Sequence, residues 1–135
     1  MTVYGAIARF IGLFVGLTMI VGGFFYFSKL SGGAGAGIGV IFGSVMLASS
    51  QFIKKNKRYF TQQEGVVFFL VAWLLPILVQ GVLIAQMAMA HVPSQLTDPI
   101  FWGMIAFVLL ISGLVTWRAM IFAKNSAIKQ GILTP

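Results

Sequence analysis

Four apolar blocks, each long enough to cross a bilayer, constrain this chain more than any other feature. They cover about 4–28, 33–53, 64–90 and 99–124, and a spanning helix needs roughly 20 mainly apolar residues to cross about 30 Å of hydrocarbon. Only 8% of the 135 residues are charged, 59% are hydrophobic and the mean hydropathy is +1.00. A soluble domain carries about a quarter charged residues, and a water-soluble fold of this chain would expose most of its apolar surface. The expected fold is therefore an all-α integral membrane four-helix bundle, a single transmembrane domain with short loops.

Start and stop signals frame the blocks. The one charge run, KKNKRYFTQQE, separates the second from the third and ends in Thr61-x-x-Glu64, the spacing of a capping box. Before the fourth block, Asp98 has the character of an N-cap and Pro99 falls in the first turn, where its missing N–H costs nothing. Arg9 ahead of an apolar stretch has the outline of a secretory signal, but the stretch is long and FFYFS before Lys29 offers no small-x-small cleavage site.

Charge sets the expected orientation. Arg9, Lys54, Lys55, Lys57, Arg58, Arg118, Lys124 and Lys129 fall on one side of the predicted bilayer and Lys29 alone on the other. Basic residues are retained on the cytoplasmic side, so both termini are expected in the cytoplasm. The net charge of +7 is thus read as topology, and nucleic acid is not an expected partner. Membrane lipids are: Lys54, Lys55, Lys57 and Arg58 should attract anionic headgroups at about 1 kcal/mol per residue. Tyr26, Tyr59, Trp102 and Trp117 lie near predicted interfaces, where aromatic belts form.

The run GGAGAGIGVIFGS matches neither phosphate-binding template, having no G-x-x-x-x-G-K-[ST] and no third glycine of G-x-G-x-x-G. Read as a helix, it places Gly35, Gly39 and Gly43 on one bare ridge, and Ala8, Gly12 and Gly16 repeat that spacing in the first block. Small-xxx-small ridges let helix backbones approach closely in lipid. These two are expected to pack against each other or against a partner. The alternating glycines also resemble the inner helix of rotor-ring proteolipids, but that family needs a mid-membrane carboxylate. The only acids here, Glu64 and Asp98, stand at helix starts.

The same shortage of reactive groups argues against enzyme chemistry. The chain has no Cys and a single His, His91, so neither a metal site nor a nucleophilic triad assembles from the usual parts, and no cofactor is expected. Intramembrane polarity is neutral. Pro76 inside the third helix leaves the Ala72 carbonyl without its usual donor, and Gln80, one turn later near Trp73 and Gly81, can brace a neighbouring helix or contact a partner. Ser44, Ser112 and Thr116 read as helix glue.

The stretch GVIFGSVMLASSQFIKKNKRYFTQQE resembles a group of small bacterial inner-membrane proteins with four spans and no settled activity. That resemblance implies a four-span protein of the bacterial inner (cytoplasmic) membrane and carries over no functional residue. The function expected is non-enzymatic: an accessory or regulatory protein, or an immunity protein against a pore-forming toxin, acting by helix contact as a homo-oligomer or with a membrane protein partner. A small oligomeric multidrug- or lipid-type transporter and a channel lined by neutral residues such as Gln80 are the alternatives.

Overall fold

A computed structural model of the protein describes residues 1–29, 34–91 and 97–134, so the first connection at 30–33 and the loop at 92–96 lie outside the described residues. Four helices follow in order: α1 (Val3–Ser28), α2 (Ala34–Asn56), α3 (Gln62–His91) and α4 (Pro99–Lys129), with no strand among the described residues. All four contain a segment long and apolar enough to cross a membrane.

Local chemistry explains where the helices begin. Thr2 caps α1 by accepting from the Gly5 amide at 3.2 Å. At α3 the Thr61 amide donates to Glu64 Oε2 at 3.0 Å while the Glu64 amide donates to Thr61 Oγ1 at 3.3 Å, closing the reciprocal capping box. Asp98 accepts from the Ile100 amide at 2.9 Å, with Pro99 opening α4.

The far end of α4 is closed by geometry that its sequence spacing alone did not announce, and the helix continues beyond 124 to Lys129. Gly131 adopts φ 71°, the Ile132 amide donates to the Ala127 carbonyl at 2.9 Å, and the Gly131 amide donates to the Ile128 carbonyl at 3.0 Å. This is a Schellman motif, completed by Ile132 packing beside buried Ala127 and Ile53. Gly131→Ala should therefore cost about 1 kcal/mol, because a Cβ is disfavoured in the left-handed region. Faster amide exchange over the last turn of α4, with α1–α3 unchanged, is the expected signature.

Helices α1 and α2 are antiparallel, as are α3 and α4. Arg9 reaches Gln51 while Leu17 meets Gly43; Phe69 packs on Trp117 while Trp73 meets Gly113. Helix α2 packs most extensively on α1 and α4, whereas α3 meets α1 and α4 and barely touches α2. Consecutive α2 and α3 thus face each other across the bundle, and both termini share one end with the basic α2–α3 connection.

The core lies toward that shared end. Phe10, Phe52 and Phe68 are completely buried, and Phe60 from the connection slots between two of them. Its ring stacks 4.1 Å from Phe52 and 5.0 Å from Phe68, which meets Phe10 edge-on at 6.1 Å. This aromatic ladder lets a short connection cross the bundle without leaving a void.

Candidate interaction surfaces

At the basic end, polar groups tie the helix ends together. The Met1 amino group donates to Asn56 Oδ1, Asn56 Nδ2 donates to the Met1 carbonyl at 2.6 Å, and Arg9 Nη1 donates to Gln51 Oε1 at 2.7 Å. Arg58 grips Glu64 with two nitrogens at 2.7 and 2.9 Å, so one of the four basic residues expected to meet lipid headgroups is already paired within the chain. Lys54, Lys55 and Lys57 are exposed. Lys57 itself has φ 55°, ending α2 in the left-handed region that turns the chain toward Phe60. Tyr59 is half-buried, donates to the Met120 carbonyl at 3.4 Å and lies beneath Lys124 Nζ, 5.3 Å from its ring; burial pushes its hydroxyl pKa up.

In the middle of the bundle the bracing is done by Trp73. Its indole Nε1 donates to the Leu109 carbonyl at 3.1 Å and to Ser112 Oγ at 3.2 Å, and its ring lies over Gly113. Ser112 and Thr116 return their hydroxyls to carbonyls of α4 itself. Ser44 and Ser49 are fully buried, and neither side chain hydrogen-bonds to another described residue. Gln80 makes no hydrogen bond to another described residue; it is exposed, and its amide nitrogen lies 3.9 Å from where a Cβ on Gly37 would stand. The expected brace therefore falls to Trp73. An indole at an antiparallel α3–α4 contact meets a carbonyl directly, whereas Gln80 lies where the bundle has already opened.

That opening begins at Pro76. Phe68, Ala72 and Pro76, spaced four apart on α3, are all buried. Gln80 continues the same stripe, yet every residue from Leu78 to Val82 is exposed.

The two small-residue ridges are not brought together, which corrects the packing expected for them. Ala8 and Gly12 are exposed, and beyond the helix's own backbone nothing lies within 4 Å of a Cβ built at Gly12, Gly16, Gly35 or Gly39. Helix α1 instead buries Ala6, Phe10 and Phe14, again spaced by four, which turns Ala8 and Gly12 outward. Of the second ridge only Gly43 is met, by Leu17 Cδ1 at 3.8 Å. The physical reason is that phenylalanines gain more dispersion contact in the core than bare backbone does.

Gly39 and Gly43 instead line a surface groove of about 580 Å³ between α1 and α2, with Leu17, Val21 and Phe25 on its other wall. Its lining is almost entirely apolar. Among the described residues no group of three or more His, Cys, Asp or Glu side chains comes together that could hold a metal ion; the His91 side chain lies outside the described set.

The geometry defines an all-helical protein with four candidate membrane spans, hence a multi-pass membrane protein. No family model, curated protein or solved structure matches the chain.

Proposed function

We propose that this is a non-enzymatic protein of the bacterial inner membrane that acts by helix contact within the bilayer, as an accessory or regulatory protein or as an immunity protein against a pore-forming toxin. The observation that carries this reading is the α1–α2 groove, floored by Gly39 and Gly43. Bare glycine backbone beside an apolar wall favours the close approach of another helix, the contact by which membrane proteins associate in lipid. The excess of basic residues at the end holding both termini supports a cytoplasmic location for that end.

The groove supplies the test. A Cβ at Gly39 meets nothing within 4 Å and the groove beside it is open, so Gly39→Leu is expected to fill the groove while keeping the isolated fold, with loss of a helix-interior glycine favouring α2 by up to about 1 kcal/mol. In cells challenged with a membrane-depolarising toxin, the unaltered protein should protect and Gly39→Leu, at equal abundance, should not. Equal survival with and without the gene would reject the immunity form. In-membrane crosslinkers placed at Ala36 and Gly39 test the wider reading, which fails if they capture lipid alone.

A further inference from the structure

The α1–α2 groove has a polar end. Its α2 wall steps by four from Gly43 to Leu47 and on to Gln51, and its α1 wall steps by four from Leu17 to Leu13 and on to Arg9. Residues four apart share a helix face. Arg9 Nη1 donates to Gln51 Oε1 at 2.7 Å, joining the two walls. An almost wholly apolar channel therefore finishes, toward the basic end, in a guanidinium held by an amide.

That guanidinium has no counterion in the chain. The protein has two acids; Asp98 caps α4 at the opposite end, and Glu64 is bound by Arg58 at 2.7 Å. Arg9 is exposed and hydrogen-bonds only to the neutral Gln51. Lys55 follows Gln51 by one turn, is exposed, and brings a second cation to the same face. The depth also fits a lipid phosphate. Helix α1 has 26 residues, about 39 Å at a rise of about 1.5 Å each, against roughly 30 Å of hydrocarbon. Arg9 stands about 9 Å from its start. With α1 centred, the Arg9 Cα falls just inside the hydrocarbon edge, and its apolar stem carries the charge out to the headgroups.

We propose that this groove holds one anionic phospholipid, its phosphate on Arg9 and Lys55 and one acyl chain running past Leu13 and Leu47 toward Gly43. Charge complementarity selects this occupant. An apolar helix laid along the whole groove would set hydrocarbon against the guanidinium, whereas an anionic lipid brings an acceptor to the polar end and a chain to the apolar one. The guanidinium fork matches phosphate oxygens, and the bond to Gln51 restrains it beforehand, so less freedom is lost on binding. The site goes beyond the helix-contact reading. Ala36 and Gly39 lie toward the other end of the groove, so a lipid at Arg9 and a helix at Gly39 use different stretches of it.

Full-length protein taken from vesicles of equal parts phosphatidylglycerol and phosphatidylcholine, and released intact into a mass spectrometer, tests the site. It should retain one phosphatidylglycerol in about tenfold preference over phosphatidylcholine. Arg9→Gln should bring that preference near parity. Arg9→Lys, which keeps the charge but not the fork, should keep about a third of it. Lys129→Gln removes the same charge from an exposed position at the end of α4 and should leave the preference unchanged. Excess glycerol phosphate, a headgroup without chains, should not displace the lipid.

Equal retention of the two lipids by the unaltered protein would overturn the proposal, as would equal losses from Arg9→Gln and Lys129→Gln. So would displacement by glycerol phosphate, which would make the site one for a soluble anion. None of these outcomes decides whether a helix docks at Gly39, so the two readings fail separately.

Discussion

Replacing Phe52 with alanine is expected to cost about 3 kcal/mol, the largest loss from any single truncation in this protein. Phe52 is completely buried and its ring is stacked on Phe60, with the Arg58 guanidinium 5.4 Å from its centroid. The estimate lies at the low end for phenylalanine truncation because lipid, unlike water, already solvates an apolar ring. What is lost is chiefly dispersion contact and the cavity left behind. The consequence is also topological: Phe60 loses the surface that holds the α2–α3 connection across the bundle, so α3 should loosen from α1. Denaturation in mild detergent should show the stability loss, and exchange at the Phe60–Phe68 amides should rise more than exchange in α4. If Phe52→Ala and Phe24→Ala are equally mild, the ladder does not organise the core, since Phe24 is 62% exposed.

The second large effect is expected at Gly113. A Cβ there would lie 3.3 Å from Trp73 Nε1 and 3.4 Å from Cε2, and the indole cannot simply swing away because it is bonded to Leu109 and Ser112. Gly113→Leu should cost about 1–3 kcal/mol from overpacking, with the Trp73 hydrogen bonds lost in addition. A Cβ at Gly103 on the same helix meets nothing within 4 Å and the position is exposed, so Gly103→Leu should be neutral or slightly stabilising. Trp73→Phe combined with Gly113→Leu tests the cause, because the smaller ring relieves the clash and the double variant should be more stable than Gly113→Leu alone. Tryptophan fluorescence of a chain retaining only Trp73 would report the displaced indole directly.

These two sites show what could be read before folding and what could not. The glycine run drew attention to small residues, but spacing alone could not say which of them meet another helix. Gly43 and Gly113 do; Gly12, Gly16, Gly35 and Gly39 do not. Nor did the sequence single out Asn56, whose side chain pairs with Met1 across 55 positions of chain. No short-range pattern records a contact of that separation. Gln80 stood out because a polar side chain in an apolar block is conspicuous, yet Trp73, masked as one more hydrophobic residue, makes the bond between helices.

The sequence by itself determined four apolar helices, the capped starts of α3 and α4 and the gathering of basic charge at one end. Helix length, Thr61 with Glu64, and Asp98 with Pro99 act locally or through hydropathy, so each can be read within a few residues. Tertiary structure alone decided that α2 sits between α1 and α4, that an aromatic ladder carries the core, and that the bundle opens past Pro76. The reason is physical. In lipid the apolar faces of a helix are equally well solvated, so hydropathy ceases to distinguish inside from outside. The choice of face is left to shape, and shape complementarity exists only between surfaces that have already met.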